Sequence, residues 1–191
     1  MRQLNVLIAG VGGQGTLLAS RVLGRYALEQ GSDCKLNEVH GMSQRGGSVV
    51  THVKISDKVY SPVIEAGGAD VLLAFEALEA ARYAHYVRKG GVIIASTQKI
   101  MPMSVVTGSA KYPEDILDKL AETGYNVVKV DAAGIAERAG NIRAANIVMI
   151  GCMTKLMGID CGQMKKAVEE SVPQKSLEVN LKAFDEGYNA I

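Results

Sequence analysis

Two short segments hold the residue types and spacings that could do chemistry. The first is Gly10-Val11-Gly12-Gly13-Gln14-Gly15, set between an apolar run and a helical pattern. It satisfies G-x-G-x-x-G. Glycines there permit a tight turn and let a ligand approach the backbone, while the unpaired N–H groups of the following helix attract an anion. Glu38, ending the second expected strand, lies near the spacing at which a dinucleotide site places its ribose-binding acid. The plainer alternative is that these glycines only let a helix pack closely against a strand.

The second segment, Glu38-Val39-His40-Gly41-Met42-Ser43-Gln44-Arg45-Gly46-Gly47-Ser48, begins where the second expected strand ends. Ligands of open α/β sheets bind beyond the carboxyl ends of strands, which is where this stretch falls. Arg45, followed by Gly46 and Gly47, can offer its guanidinium fork to a phosphate or carboxylate with little steric cover. A surface loop, with its glycines making a turn and Arg45 pairing with an acid, is the alternative.

The elements that must position these segments follow from periodicity. Residues 4–9 form a continuous apolar run, as in a strand buried on both faces, and 16–30 carry a helical stripe stopped by Gly31. Residues 34–39 read as a second strand. Residues 48–56 alternate, with Val49, Thr51, Val53 and Ile55 on one face, which predicts a half-buried strand paired with 58–60. A strand at 71–75, a helix at 76–87 closed by Gly90 and Gly91, and a strand at 92–95 come next. Residues 97–112 read as irregular with a short strand at 104–107, and Pro113 as the first turn of a helix reaching Gly124. A strand at 126–130 and a helix at 132–139 lead into an all-helical end, comprising 142–157, 162–171 and a last helix with the stripe Leu177, Leu181, Phe184 and Tyr188.

Composition narrows the function classes. The chain has 191 residues, 48% hydrophobic and 21% charged, enough for one substantial core and a single domain over 1–191. Its net charge is +1 with Lys and Arg dispersed, which disfavours nucleic acid as a partner. No apolar run is long enough to span a membrane. The opening residues echo a signal peptide, but the apolar run is too short and enters glycines directly, so it reads as a first strand. Three cysteines, Cys34, Cys152 and Cys161, make no even-numbered disulfide framework and fit a reducing cytoplasm. No Cys-x-x-Cys occurs, so this chain cannot hold an iron–sulfur cluster alone.

Other candidates read as structural. His52 and His85 have no second ligand at metal spacing, and no metal site is expected. Cys152 reads as a small buried hydrophobe. Ser96, Thr97, Ser104 and Ser109 have no Gly-x-Ser-x-Gly turn around them. Glu76 either faces the same crevice as Arg45 or acts as an ordinary acid at a helix start. Met149, Met153 and Met157 recur on a helix that is apolar nearly all round, which predicts that part of it, with Leu177, Leu181 and Phe184, lies in a subunit interface.

Taken together, the two glycine-bearing segments resemble the gamma-type domain of 2-oxoacid:ferredoxin oxidoreductases, and most closely the beta subunit of the indolepyruvate:ferredoxin type. The resemblance continues through 48–55, Gly68-Ala69-Asp70-Val71-Leu72-Leu73-Ala74-Phe75-Glu76 and the run around Asn146. It implies a subunit, inactive alone, of an enzyme that oxidatively decarboxylates an aryl 2-oxoacid with coenzyme A, giving acyl-CoA and reduced ferredoxin. It implies that thiamine diphosphate, Mg and iron–sulfur clusters sit on a larger partner chain; this sequence also lacks the Gly-Asp-Gly…Asn pattern for the magnesium diphosphate. The fold implied is α/β, a Rossmann-like three-layer sandwich with a mostly parallel sheet and a helical C-terminal third. The expected cofactor-binding residues are Gly10, Gly12, Gly13, Gln14, Gly15, His40, Gly41, Arg45, Gly46 and Gly47, with Arg45 meeting an anionic group of coenzyme A or oxoacid and His40 shaping the loop. Two other readings stay open: a self-contained NAD(P)-dependent dehydrogenase, for which no catalytic pair is found, and a non-catalytic Rossmann-like binding module.

Overall fold

The structure is a computed structural model, described here over residues 3–41 and 46–191. Six strands form one sheet in the order β2-β3-β1-β4-β5-β6. They are β1 (Leu4–Val11), β2 (Asp33–His40), β3 (Ser48–Ser56), β4 (Ala69–Ala74), β5 (Val87–Ser96) and β6 (Asn126–Val130). β1, β4, β5 and β6 pair in parallel, whereas β3 is antiparallel to both β1 and β2. Only β3 runs against the rest, so the sheet is mostly parallel, as expected.

Both faces of the sheet are covered, which explains the continuous apolar run of β1. Val6 and Ile8 enter one core with α1 (Thr16–Glu29), α5 (Ala132–Ala139), α6 (Ala145–Leu156), α7 (Cys161–Ser171) and α8 (Leu177–Asn189). Leu7 and Ala9 enter a second core, with α2 (Ala77–Tyr83) and α4 (Ile116–Glu122). Helices on both sides of one sheet make the three-layer sandwich.

Several local expectations change. β3 is buried on both faces rather than one, because β1 and β2 flank it and the chain beyond covers its second side: Ile64 N donates to His52 Nδ1 (3.1 Å), and Tyr86 meets the His52 ring edge-on. His52 is thereby a structural residue, and burial lowers its pKa. Residues 58–60 are not a strand; Asp33 instead takes the Val59 N–H. The helix after β4 stops at Tyr83, and Gly90 and Gly91 lie within β5, where a register shift lets residues 88–91 arch outward. The expected strand at 104–107 is a single helical turn, α3 (Met103–Val106), entered from Pro102. Pro113 stands ahead of α4 rather than in its first turn.

Most of the apolar helix α6 is covered within its own chain, whereas Leu156 is exposed and Met157, Leu177 and Leu181 are partly exposed. Met149, Met153 and Phe184 are buried, with α8 laid directly against α6. Two glycines make that approach possible: a Cβ on Gly187 would lie 2.2 Å from Val148 O, and one on Gly151 2.3 Å from Phe184 O. The Cys152 thiol donates to Gly187 O (3.1 Å), and burial pushes its pKa up to about 12, so it is the inert hydrophobe its surroundings require. Among the described residues, no helix is long and apolar enough to cross a membrane.

Candidate functional site

The strand directions bring the carboxyl ends of β1, β2, β4, β5 and β6, and the start of β3, to one edge of the sheet. Both glycine segments emerge there. They meet directly, as Gly12 N donates to Gly47 O (2.9 Å). Arg45 lies outside the described residues, so the joining of the two loops rests on this bond and on the pairing of Val11 with Ser48.

The first loop is held by its own glutamine. Gln14 Oε1 accepts from Val11 N (2.7 Å), and Gln14 Nε2 donates to Phe75 O (2.8 Å) and to Gln98 Oε1 (2.9 Å). One side chain therefore ties the end of β1 to the segments after β4 and β5. Gly10 leaves room for it, since a Cβ there would lie 3.0 Å from Gln14 Oε1.

Gly15 is the N-cap of α1 in a left-handed conformation (φ 82°). A Cβ on it would fall 2.3 Å from Asn146 Nδ2, which donates to Gly15 O (3.1 Å) from the first turn of α6. Gly10 and Gly15 thus serve close packing. Gly13, also at positive φ (103°), has nothing within 4 Å of where a Cβ would stand and faces open space.

Beyond Gly13 is a hollow of about 370 Å³ lined by Gly12, Gly15, Thr16, Leu17, Glu38 and His40. Among the described residues no side chain caps α1, and no acid lies in its first turn, so its N–H groups open on this space. Glu38 borders it, but Glu38 Oε2 already accepts from Thr16 Oγ1 (3.2 Å) and Thr51 Oγ1 (3.1 Å). His40 is exposed with Nδ1 3.0 Å from Gly41 O, a bond that bends the loop back on itself. Gly41 has open space at its Cβ position, and Gly46 adopts φ 75°.

Glu76 is not an open ligand. It caps α2 by accepting from Glu79 N (2.9 Å), and its other oxygen takes Ile100 N (3.1 Å) and the Tyr112 hydroxyl. Burial, and then this hydrogen bond to Glu76, raise the Tyr112 pKa. The pair clasps both ends of the excursion after β5 onto α2. Ser48, at the start of β3, donates to Glu79, which also pairs with Arg82.

Sequence reading did not foresee Gln98 and Asn146 as partners of the loop. Asn146 stands 131 residues from Gly15. The one available signal was a polar residue inside a helix that is otherwise apolar all round, a position that demands a hydrogen-bonding partner. Among the described residues, no group of three or more His, Cys, Asp or Glu could hold a metal ion.

Against known proteins, residues 5–190 match the family model described as pyruvate ferredoxin/flavodoxin oxidoreductase. The chain is 42% identical to the indolepyruvate oxidoreductase subunit IorB of Archaeoglobus fulgidus, over 98% of this chain and 94% of that one. It superposes on the keto/oxoacid ferredoxin oxidoreductase gamma subunit of Geobacter sulfurreducens with a TM-score of 0.72 at 26% identity, covering 97% and 96% of the two chains. The 2-oxoglutarate:ferredoxin oxidoreductase of Magnetococcus marinus shares the fold (TM-score 0.74, 18% identity) over 99% of this chain but 31% of that longer one. The chain belongs to the pyruvate ferredoxin/flavodoxin oxidoreductase family.

Proposed function

We propose that the chain, as a single gamma-type domain, is the small subunit of a cytoplasmic 2-oxoacid:ferredoxin oxidoreductase acting on indolepyruvate or a related aryl pyruvate. The enzyme releases carbon dioxide from the oxoacid, transfers the acyl group to coenzyme A, and passes two electrons to ferredoxin. The observation that carries this reading is the 42% identity to an indolepyruvate oxidoreductase subunit across nearly the full length of both chains.

The donor set of this chain supports placing the redox groups on a partner. Cys34, Cys152 and Cys161 form no cluster with other ligands among the described residues, and a four-thiolate iron–sulfur site cannot be built from them. The sequence also lacks the Gly-Asp-Gly…Asn pattern that holds a magnesium diphosphate, which supports the same placement. Thiamine diphosphate, when bound to the larger partner, supplies the carbanion chemistry.

In this reading the small subunit binds and orients. Gly13 leaves open space where a side chain would block approach, Gly12 and Gly15 border the same hollow, and the start of α1 favours an anionic group of coenzyme A. His40, Gly41, Gly46 and Gly47 shape the neighbouring loop, and Arg45, in the same segment of sequence, is the cation this reading gives to that anion. Arg45→Ala in the assembled enzyme should raise the KM for coenzyme A or the oxoacid about 10-fold or more, as loss of a charge-assisted hydrogen bond does. Unchanged KM values for both would remove Arg45 from this role.

A further inference from the structure

A second cavity, of about 170 Å³, lies on the other side of Gly13, where β1 and β4 diverge at the sheet's topological switch point. Phe75 and Met149 supply apolar wall; Ser96, Gln98, Arg143 and Asn146 supply the polar groups. None of these is used by the reading above.

What distinguishes the cavity is the sign of its unused hydrogen-bonding capacity. Ser96 is 2% exposed and accepts from Gln98 N (3.2 Å), so its hydroxyl proton has no acceptor among the described residues. Gln98 spends its carbonyl oxygen on Gln14, which leaves its NH2 group free. Asn146 is satisfied, donating to Gly15 O and accepting from Ile147 N (2.9 Å). The Arg143 guanidinium makes no ion pair among the described residues.

Arg143 also stands at the start of α6, a helix of 12 residues with no side-chain cap and no acid in its first turn. A cation at the positive end of a helix is repelled by it unless an anion lies between them. Asp131, the acid that caps α5, is turned onto Gly134 N (3.0 Å). Free donors, an unpaired guanidinium and an apolar wall therefore face the same space.

We propose that this crevice is a binding site for a small organic carboxylate with a short apolar body. The guanidinium fork matches the two carboxylate oxygens, Ser96 and Gln98 donate to their remaining lone pairs, and the hydrocarbon lies against Phe75 and Met149. The space corresponds to roughly five or six water volumes, which suits an ion of a few carbons and excludes a nucleotide. The site is complete within this chain and uses none of residues 42–45, so it stands or falls apart from the role given to Arg45.

Calorimetric titration of the full chain tests it, with sodium isovalerate, acetate and inorganic phosphate as probes. Isovalerate should bind one per chain and more tightly than acetate. Arg143→Gln, an exposed substitution, should weaken isovalerate at least 10-fold, and Ser96→Ala several-fold, while Arg45→Ala leaves its binding unchanged. No saturable isovalerate binding, equal or tighter binding of phosphate, or an Arg143→Gln chain that binds as well as the wild type would each overturn the proposal.

Discussion

Gly13 borders two hollows at the same edge of the sheet, and they are built in opposite ways. The inner crevice is walled by side chains from distant parts of the sequence, its free polar groups are donors, and apolar side chains line it. The outer hollow is walled by three glycines, the start of α1 and the side chains of Leu17, His40 and Val49, with Glu38 present but already bonded to two hydroxyls. One glycine motif thus does two kinds of work. Gly10 and Gly15 admit protein side chains, and Gly13 alone among the three turns its empty side to open space.

The division between packing and exposure is sharpest at Gly15. Gly15→Ala must accept a positive φ and displace Asn146, and should cost about 2–4 kcal/mol in urea denaturation. Made in an Asn146→Ala background, the same change should cost only about 1–2 kcal/mol, the backbone part alone. Gly13→Ala meets no atoms, so its cost should be confined to that backbone part in either background. Equal penalties for Gly15→Ala with and without Asn146 would show that the glycine is not there to admit that side chain.

Gln14 lines the inner crevice beside Gly13, and its removal is the next largest effect. Gln14→Ala leaves the Val11 N–H without its partner and frees Gln98 and Phe75 O, a loss of about 1–3 kcal/mol for buried groups. Gln14→Glu keeps the acceptor for Val11 but places a carboxylate against Phe75 O and Gln98 Oε1, so it should be no better than alanine. A fully stable Gln14→Glu chain would mean that the two amide donations contribute nothing to the loop.

These relations were unevenly legible in the sequence. The strands of the sheet could be read because apolar runs ended by glycine have a local cause, and both site loops could be placed because each follows such a run. The partners of the loop could not, since Asn146 and Gln98 reach it through tertiary packing that no local pattern encodes. The helix α6 misled in part for a related reason: its apolar surface suggests a subunit interface, and only the matching of Gly151 with Gly187 lets α8 come close enough to cover most of it. Short pieces failed where one residue changes the outcome. Pro102 starts a helical turn where a short strand was expected, and the glycines at 90–91 arch a strand where they were expected to end a helix.

The smallest expected effect separates two uses of the outer hollow. Glu38 sits where a dinucleotide fold keeps an acid for ribose, yet both hydroxyls it serves belong to the protein, Thr16 on α1 and Thr51 on β3. A Gln at this position retains an oxygen that can accept from both. Glu38→Gln should therefore change stability by less than about 1 kcal/mol, the scale of a neutral hydrogen bond replacing a charged one. Titration with NADH should show no tight binding to either the wild type or the variant. Were the wild type to bind NADH tightly and Glu38→Gln to lose it, the acid would be reading a ribose, and the outer hollow would belong to a nicotinamide cofactor rather than to an anionic co-substrate.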